Sequence, residues 1–116
     1  MDNEYTSGRV KFIIEHMMHE IHETAKEKGW WDEPRNDGEC IALMHSELSE
    51  ALEALRNNIT VDHHCPEFDN ATIELSDCII RIFDFAQARG MRLPEALIAK
   101  MDYNKTRPHK HGGKKF

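Results

Sequence analysis

At 116 residues the chain is long enough for one domain and too short for two, and its 40% hydrophobic and 31% charged residues are those of a globular protein. No apolar run approaches the ~18 residues of a membrane span, Met1-Asp2-Asn3-Glu4 lacks the marks of a secretory signal, and three scattered cysteines (Cys40, Cys65, Cys78) suit a reducing cytoplasm better than a disulfide framework. The net charge of −6 is unevenly placed: Lys105 to Phe116 carries five Lys/Arg and no acid, so the first 104 residues hold 10 basic against 21 acidic side chains, a balance that speaks against nucleic-acid binding.

The first helix is expected from about Ser7 to Lys28, where Val10, Ile13, Ile14, Met17, Met18 and Ile21 recur at helical spacing. His16, His19 and His22 share one face of it and read as solvated. Gly29 is a natural stop. The loop Trp30 to Gly38 follows, rich in turn residues. A second helix covers roughly Glu39 to Asn57. Its main apolar stripe is Ile41, Met44, Leu48, Ala51, Leu52 and Leu55; a second stripe alongside it is Leu43, Glu47, Glu50 and Ala54. A loop from Asn58 to Asp69 contains Pro66 and the run His63-His64-Cys65, whose adjacent spacing is poor for a tetrahedral zinc site.

The third helix, about Asn70 to Arg89, is apolar around most of its circumference. One narrow polar stripe, Glu74, Asp77, Arg81 and Asp84, breaks it. A helix apolar nearly all round is buried, and a small four-helix chain can hardly bury it alone, so a homo-oligomer is expected. Arg81 is expected to pair with Asp77 or Asp84, and Cys78 to lie in the core. Gly90 ends this helix, and Leu93-Pro94-Glu95 opens a fourth that runs to about Asn104. The tail from Lys105 to Phe116, with Pro108 and Gly112-Gly113, cannot be regular helix. No strand alternation is visible. The expected fold is one all-α domain over residues 1–116, a four-helix bundle-like protomer with helices two and three face to face.

The chemistry lies in two carboxylate pairs. Glu47-x-x-Glu50 sits on the second helix and Glu74-x-x-Asp77 on the third, with 23 residues between Glu50 and Glu74. Residues three apart share a helix face, so each pair can aim at one spot. Four carboxylates together repel unless a cation sits among them, and oxygen-only ligands suit Mg²⁺ or Mn²⁺. Carboxylate-held Mg²⁺ takes much of its remaining shell from water and substrate phosphates. Glu47, with Glu50 beside it, is the candidate general base for an attacking water; Glu53 is a further, exposed candidate.

The pattern resembles the MazG-type all-α nucleoside triphosphate pyrophosphohydrolases, marked by Glu-Glu-x-x-Glu, a gap, then Glu-x-x-Asp. This chain reads Ser46-Glu47-Leu48-Ser49-Glu50 and Glu74-Leu75-Ser76-Asp77, so Ser46 stands where the family has its first Glu. Gly29-Trp30-Trp31, Lys100-x-x-x-Asn104-x-x-Arg107 and His111-Gly112-Gly113-Lys114 extend the likeness to the small single-domain subgroup, over roughly residues 25 to 116. The resemblance implies Mg²⁺-dependent hydrolysis of an NTP or dNTP to the monophosphate and pyrophosphate. It also implies dimers or tetramers whose sites are built between helices of adjacent subunits. Lys100, Asn104, Arg107 and Lys114 are then candidates to neutralise the triphosphate.

Trp30 and Trp31 admit two roles, stacking on a nucleobase or plugging the core or a subunit interface. Hydrolysis of phosphoribosyl-ATP is a sibling reaction on the same arrangement. A di-iron bundle requires Glu-x-x-His on two helices, and no Glu here has a His three residues on. A non-catalytic helical oligomer, binding a partner through its apolar surface, is the remaining alternative.

Overall fold

Capping chemistry sets the helix boundaries. The computed structural model describes residues 3–116 and contains α1 (Glu4–Glu27), α2 (Asp37–Arg56), α3 (Asn70–Ala88), α4 (Leu93–Lys105) and one turn, α5 (Lys110–Gly113). No strand occurs among the described residues, so the chain is all-helical. Asn3, Asn36 and Asp69 each accept a hydrogen bond from the backbone N–H three residues on, at 2.7–2.8 Å, satisfying donors that a helix start leaves open. The Asn36 cap starts α2 at Asp37, ahead of the expected Glu39.

The first three helices end alike. Gly29, Asn58 and Gly90 adopt φ of +87°, +53° and +64°. The next amide in each case turns back onto the helix: Trp30 to the Ala25 carbonyl, Ile59 to Ala54 and Met91 to Ala86, at 2.9–3.1 Å. This is the left-handed helix stop for which glycine is favoured. In α5 His111 and Gly112 also take left-handed dihedrals, so the basic tail is indeed not regular helix.

α3 is central, packed against α2 on one side and α1 on the other, and α4 lies against α1. The buried apolar residues are Met18, Cys40, Ala51, Ala54, Ala71, Cys78, Phe85 and Ala86. Most are small, so the helices approach closely but cover little. Cys78 lies in this core as expected, its thiol 3.6 Å from the Met44 carbonyl.

One expectation about faces is corrected. α2 turns Cys40, Glu47, Ala51 and Ala54 inward, while the larger side chains of its supposed main stripe, Ile41, Leu48, Leu52 and Leu55, stay exposed. α3 is not covered all round by its own chain, in line with the reading that a chain this small can hardly bury it: Leu75, Ile79 and Ile80 are exposed, while Glu74, Asp77, Arg81 and Asp84 are partly or fully covered. The polar stripe therefore faces in. The chain exposes 8813 Å², against roughly 6,500 Å² expected for a folded monomer of its mass. Its radius of gyration is 16.7 Å, against roughly 13 Å for a domain near this length.

Candidate metal and anion site

Glu47 and Glu50 lie one turn apart on α2, and Glu74 faces them from α3. One carboxylate oxygen from each falls within 4.8 Å of the others. Glu47 is buried, Glu74 partly covered and Glu50 exposed, so the cluster opens at an edge. Such crowding shifts the carboxyls. Burial, hydrogen bonding shared with Glu50 and Glu47, and the charges of those two push Glu74 up to about 8. Burial also works to raise Glu47, but hydrogen bonds from Arg81 and Glu74 and the guanidinium charge outweigh it, leaving Glu47 below its usual value. Asp77 is raised, first by burial and then by the charges of Glu47 and Asp62.

Asp77 is not one of the tight three. One turn beyond Glu74, it lines a neighbouring cleft of about 360 Å³ together with Glu47, Arg81 and Asp84. The opposite wall comes from the end of α1 and the following loop, with Ile21, Lys28, Trp30 and Arg35 among its residues. The cleft thus has an aromatic and aliphatic side, three cations, and one edge in common with the carboxylate cluster.

Arg81 corrects a further expectation. Its Nε donates to Glu47 Oε1 at 2.9 Å, rather than pairing with Asp77 or Asp84 on its own helix. Asp84 is engaged elsewhere. Its Oδ1 lies 2.7 Å from His22 Nδ1, and the Trp31 indole N–H is 3.0 and 3.1 Å from its two oxygens. His22 is therefore not a solvated surface histidine; its side chain is only 14% exposed. His22 and Trp31 also meet edge to face, with ring centroids 5.5 Å apart.

The two tryptophans divide their roles. Trp31 is clamped to α3 and α1, whereas Trp30 is 59% exposed and lines the cleft. The Arg35 guanidinium stands over both rings, 5.9 Å from the Trp30 centroid and 4.9 Å from that of Trp31. Arg89 closes the loop from the other side, bonding Asp37 and the Arg35 carbonyl.

A second set of contacts steadies Glu74. Asp62 is buried in the α2–α3 loop and accepts from the amides of His64 and Cys65 and from Asn70 Nδ2. The same Asn70 amide lies 3.5 Å from Glu74 Oε1. Asp62 is held below its usual value by these donors, Cys65 N–H first. The histidines and cysteine of that loop join no metal-competent group among the described residues.

The chain does not bring the basic candidates to the carboxylates. α4 begins beside Glu15 and Met18, in the middle of α1, whereas the cleft lies at the C-terminal end of α1. Lys100, Asn104 and Arg107 are not among the cleft residues; Lys100 and Arg107 instead approach the Tyr103 ring, at 4.6 and 5.7 Å. Lys114 is exposed in the tail. Glu53 accepts from Asn57 and lies outside the cluster. Residues missed from sequence are Lys28 and Arg35; Asp84 was already visible in the polar stripe of α3, though not its contacts with His22 and Trp31. Only Arg35 carried a local signal, a lone cation directly after the Trp30-Trp31 pair.

No helix among the described residues is long and apolar enough to cross a membrane. No known protein family, curated protein or solved structure matches the chain.

Proposed function

We propose that this chain is a Mg²⁺-dependent nucleotide pyrophosphohydrolase that converts an NTP or dNTP to the monophosphate and pyrophosphate, serving to cleanse or balance the cytoplasmic nucleotide pool. The observation that carries the reading is the sharing of Glu47 between an all-oxygen cluster and a cation-lined cleft. Burial and the crowding of Glu50 and Glu47 raise Glu74 to about 8, a strain that a cation would relieve, and hard oxygen donors suit Mg²⁺, or Mn²⁺, better than a soft metal. Glu47, Glu50 and Glu74 would hold the ion, with Asp77 beside them. When bound, Mg²⁺ neutralises phosphate oxygens and lowers the pKa of water.

The side chains divide the remaining work. Glu47, kept ionised by Arg81, suits a ligand better than a proton acceptor. The exposure of Glu50 supports giving it the proton of an attacking water. Lys28, Arg35 and Arg81 line the space a triphosphate would occupy, and Trp30 offers a face for the base. Phosphoribosyl-ATP fits the same chemistry as an alternative substrate.

The exposed Leu48, Leu52, Leu55, Leu75 and Ile79, with the excess accessible surface, support a homodimer or homotetramer in which a second copy completes the bundle. Lys100, Asn104, Arg107 and Lys114 would then serve a neighbour's site. The same apolar face is the observation favouring a non-catalytic oligomer. Incubating the protein with each canonical NTP and dNTP and Mg²⁺, and separating the products, decides between them. Monophosphate with equimolar pyrophosphate supports hydrolysis; no turnover of these, phosphoribosyl-ATP or modified nucleotides would leave the non-catalytic oligomer.

A further inference from the structure

Among the described residues, Arg81 is the one in ion-pair contact with the carboxylate cluster that also lines the cleft. Its position on the inward stripe of α3 places it one turn beyond Asp77. Among the described residues its guanidinium makes a single hydrogen bond, Nε to Glu47 Oε1 at 2.9 Å. That contact leaves both Nη groups, four N–H donors, without a protein partner among the described residues. Asp84, three residues on, accepts none of them; its oxygens are turned to His22 and Trp31. Lys28 and Arg35 on the facing wall form no ion pair among the described residues.

A guanidinium in this setting has two competing anionic partners, Glu47 and any phosphate that enters. Arginine suits both, because its planar fork matches carboxylate and phosphate alike. Glu47 is the more buried partner, its side chain 10% exposed against 32% for Arg81, so Arg81 is the partner with open space beside it.

We propose that Arg81 is an exchangeable counter-ion: it neutralises Glu47 when the carboxylate cluster holds no cation, and transfers to a phosphate group in the cleft when Glu47 is given over to a divalent cation. The exchange makes cation and polyphosphate binding mutually supportive. It prevents Glu47 from being stranded as a buried, unpaired charge, which is costly, and it withholds one phosphate ligand until the cluster is filled. The inference deepens the function proposed above and rests on it, but it makes a claim testable without metal or turnover.

The test is calorimetric titration of the full chain with inorganic tripolyphosphate in EDTA. Glu47→Gln removes the charge that holds Arg81 and is expected to tighten tripolyphosphate binding about tenfold, the worth of one charge-assisted hydrogen bond. Glu50→Gln removes an equal charge without touching Arg81 and is expected to change binding much less. The gain should vanish in Glu47→Gln/Arg81→Gln. Glu47→Asp, which keeps the charge but shortens the reach, replaces Glu47→Gln if that variant loses its helical circular dichroism, and should show a smaller Arg81-dependent gain. An equal gain in Glu50→Gln, a gain that survives loss of Arg81, or no gain at all would overturn the exchange. Those results are read apart from hydrolysis: turnover with Mg²⁺ but no Arg81-dependent gain overturns the exchange alone, whereas the gain without turnover upholds Arg81 as an anion ligand and overturns the hydrolase reading.

Discussion

His22 Nδ1 and Asp84 Oδ1 lie 2.7 Å apart although they are 62 positions apart in sequence. Their contact fastens α1 to α3, and the Trp31 indole joins the same carboxylate from the intervening loop. One side chain thus fixes three segments that wall the cleft. Asp84→Ala strands a partly covered indole N–H and imidazole, so about 2–3 kcal/mol of stability should be lost. Trp31→Phe keeps most of the ring and should cost about 1 kcal/mol. Denaturant unfolding followed by circular dichroism measures both, and unchanged midpoints would refute the clamp.

Glu74 makes the metal-free fold sensitive to pH. In the folded chain it retains a proton up to about 8, but its ordinary value is 4.5. Between those values the folded state binds more protons than the unfolded state, so stability falls as pH rises. Asp77, also raised, acts in the same direction. Glu47, being lowered, contributes stability above its ordinary 4.5 that is lost only as pH falls through its folded value, outside this window on the acid side. The metal-free melting temperature should therefore decline from pH 5 to pH 8. Glu74→Gln should flatten the decline; an equally steep slope in that variant would assign the effect to other groups.

Mg²⁺ competes with that proton. A cation needs Glu74 ionised, so binding below pH 8 releases a proton and affinity climbs with pH until about 8. The rise in melting temperature on adding Mg²⁺, which follows the ratio of free ion to dissociation constant, should be small at pH 6 and larger at pH 8.5. A shift independent of pH, or one retained in Glu74→Gln, would place the ion elsewhere.

Leu48, Leu52 and Leu55 project from α2 into solvent in the isolated chain. Burying one such side chain is worth about 1.5–3 kcal/mol, so Leu48→Glu/Leu52→Glu should convert an oligomer to monomer with its helical signal intact. Sedimentation equilibrium reads this directly. A wild-type monomer at micromolar concentration would refute the assembly.

Local signals in the sequence carried the elements and the carboxylates. Gly29 and Gly90 announce helix ends through left-handed stops, and i,i+3 spacing places Glu47 beside Glu50, whereas the Asn36 cap, read as loop, starts α2 earlier than periodicity does. Facing was harder. Hydrophobic periodicity favours Ile41, Leu48, Leu52 and Leu55 as the inward stripe of α2, yet close packing on α3 is achieved by Cys40, Ala51 and Ala54. Periodicity gives an angle, not the identity of what covers it. The Arg81 partner was hidden for a related reason: helical neighbours suggest Asp77 or Asp84, but Asp84 is already taken by His22 and Trp31, contacts visible only after α1 and α3 are docked. The basic residues of α4 follow a spacing that the chain alone does not bring to the cleft.

The most direct measurement is product analysis with Mg²⁺ for wild type, Glu50→Gln and Glu74→Gln, run on the full set of NTPs and dNTPs. The expected result is monophosphate and pyrophosphate in equal amounts from a subset of substrates, with the rate falling at least a hundredfold, about 2.7 kcal/mol of barrier, in both variants while their helical signal persists. Turnover that survives loss of either carboxylate, or release of orthophosphate in place of pyrophosphate, would contradict a carboxylate-held Mg²⁺ acting in pyrophosphohydrolysis.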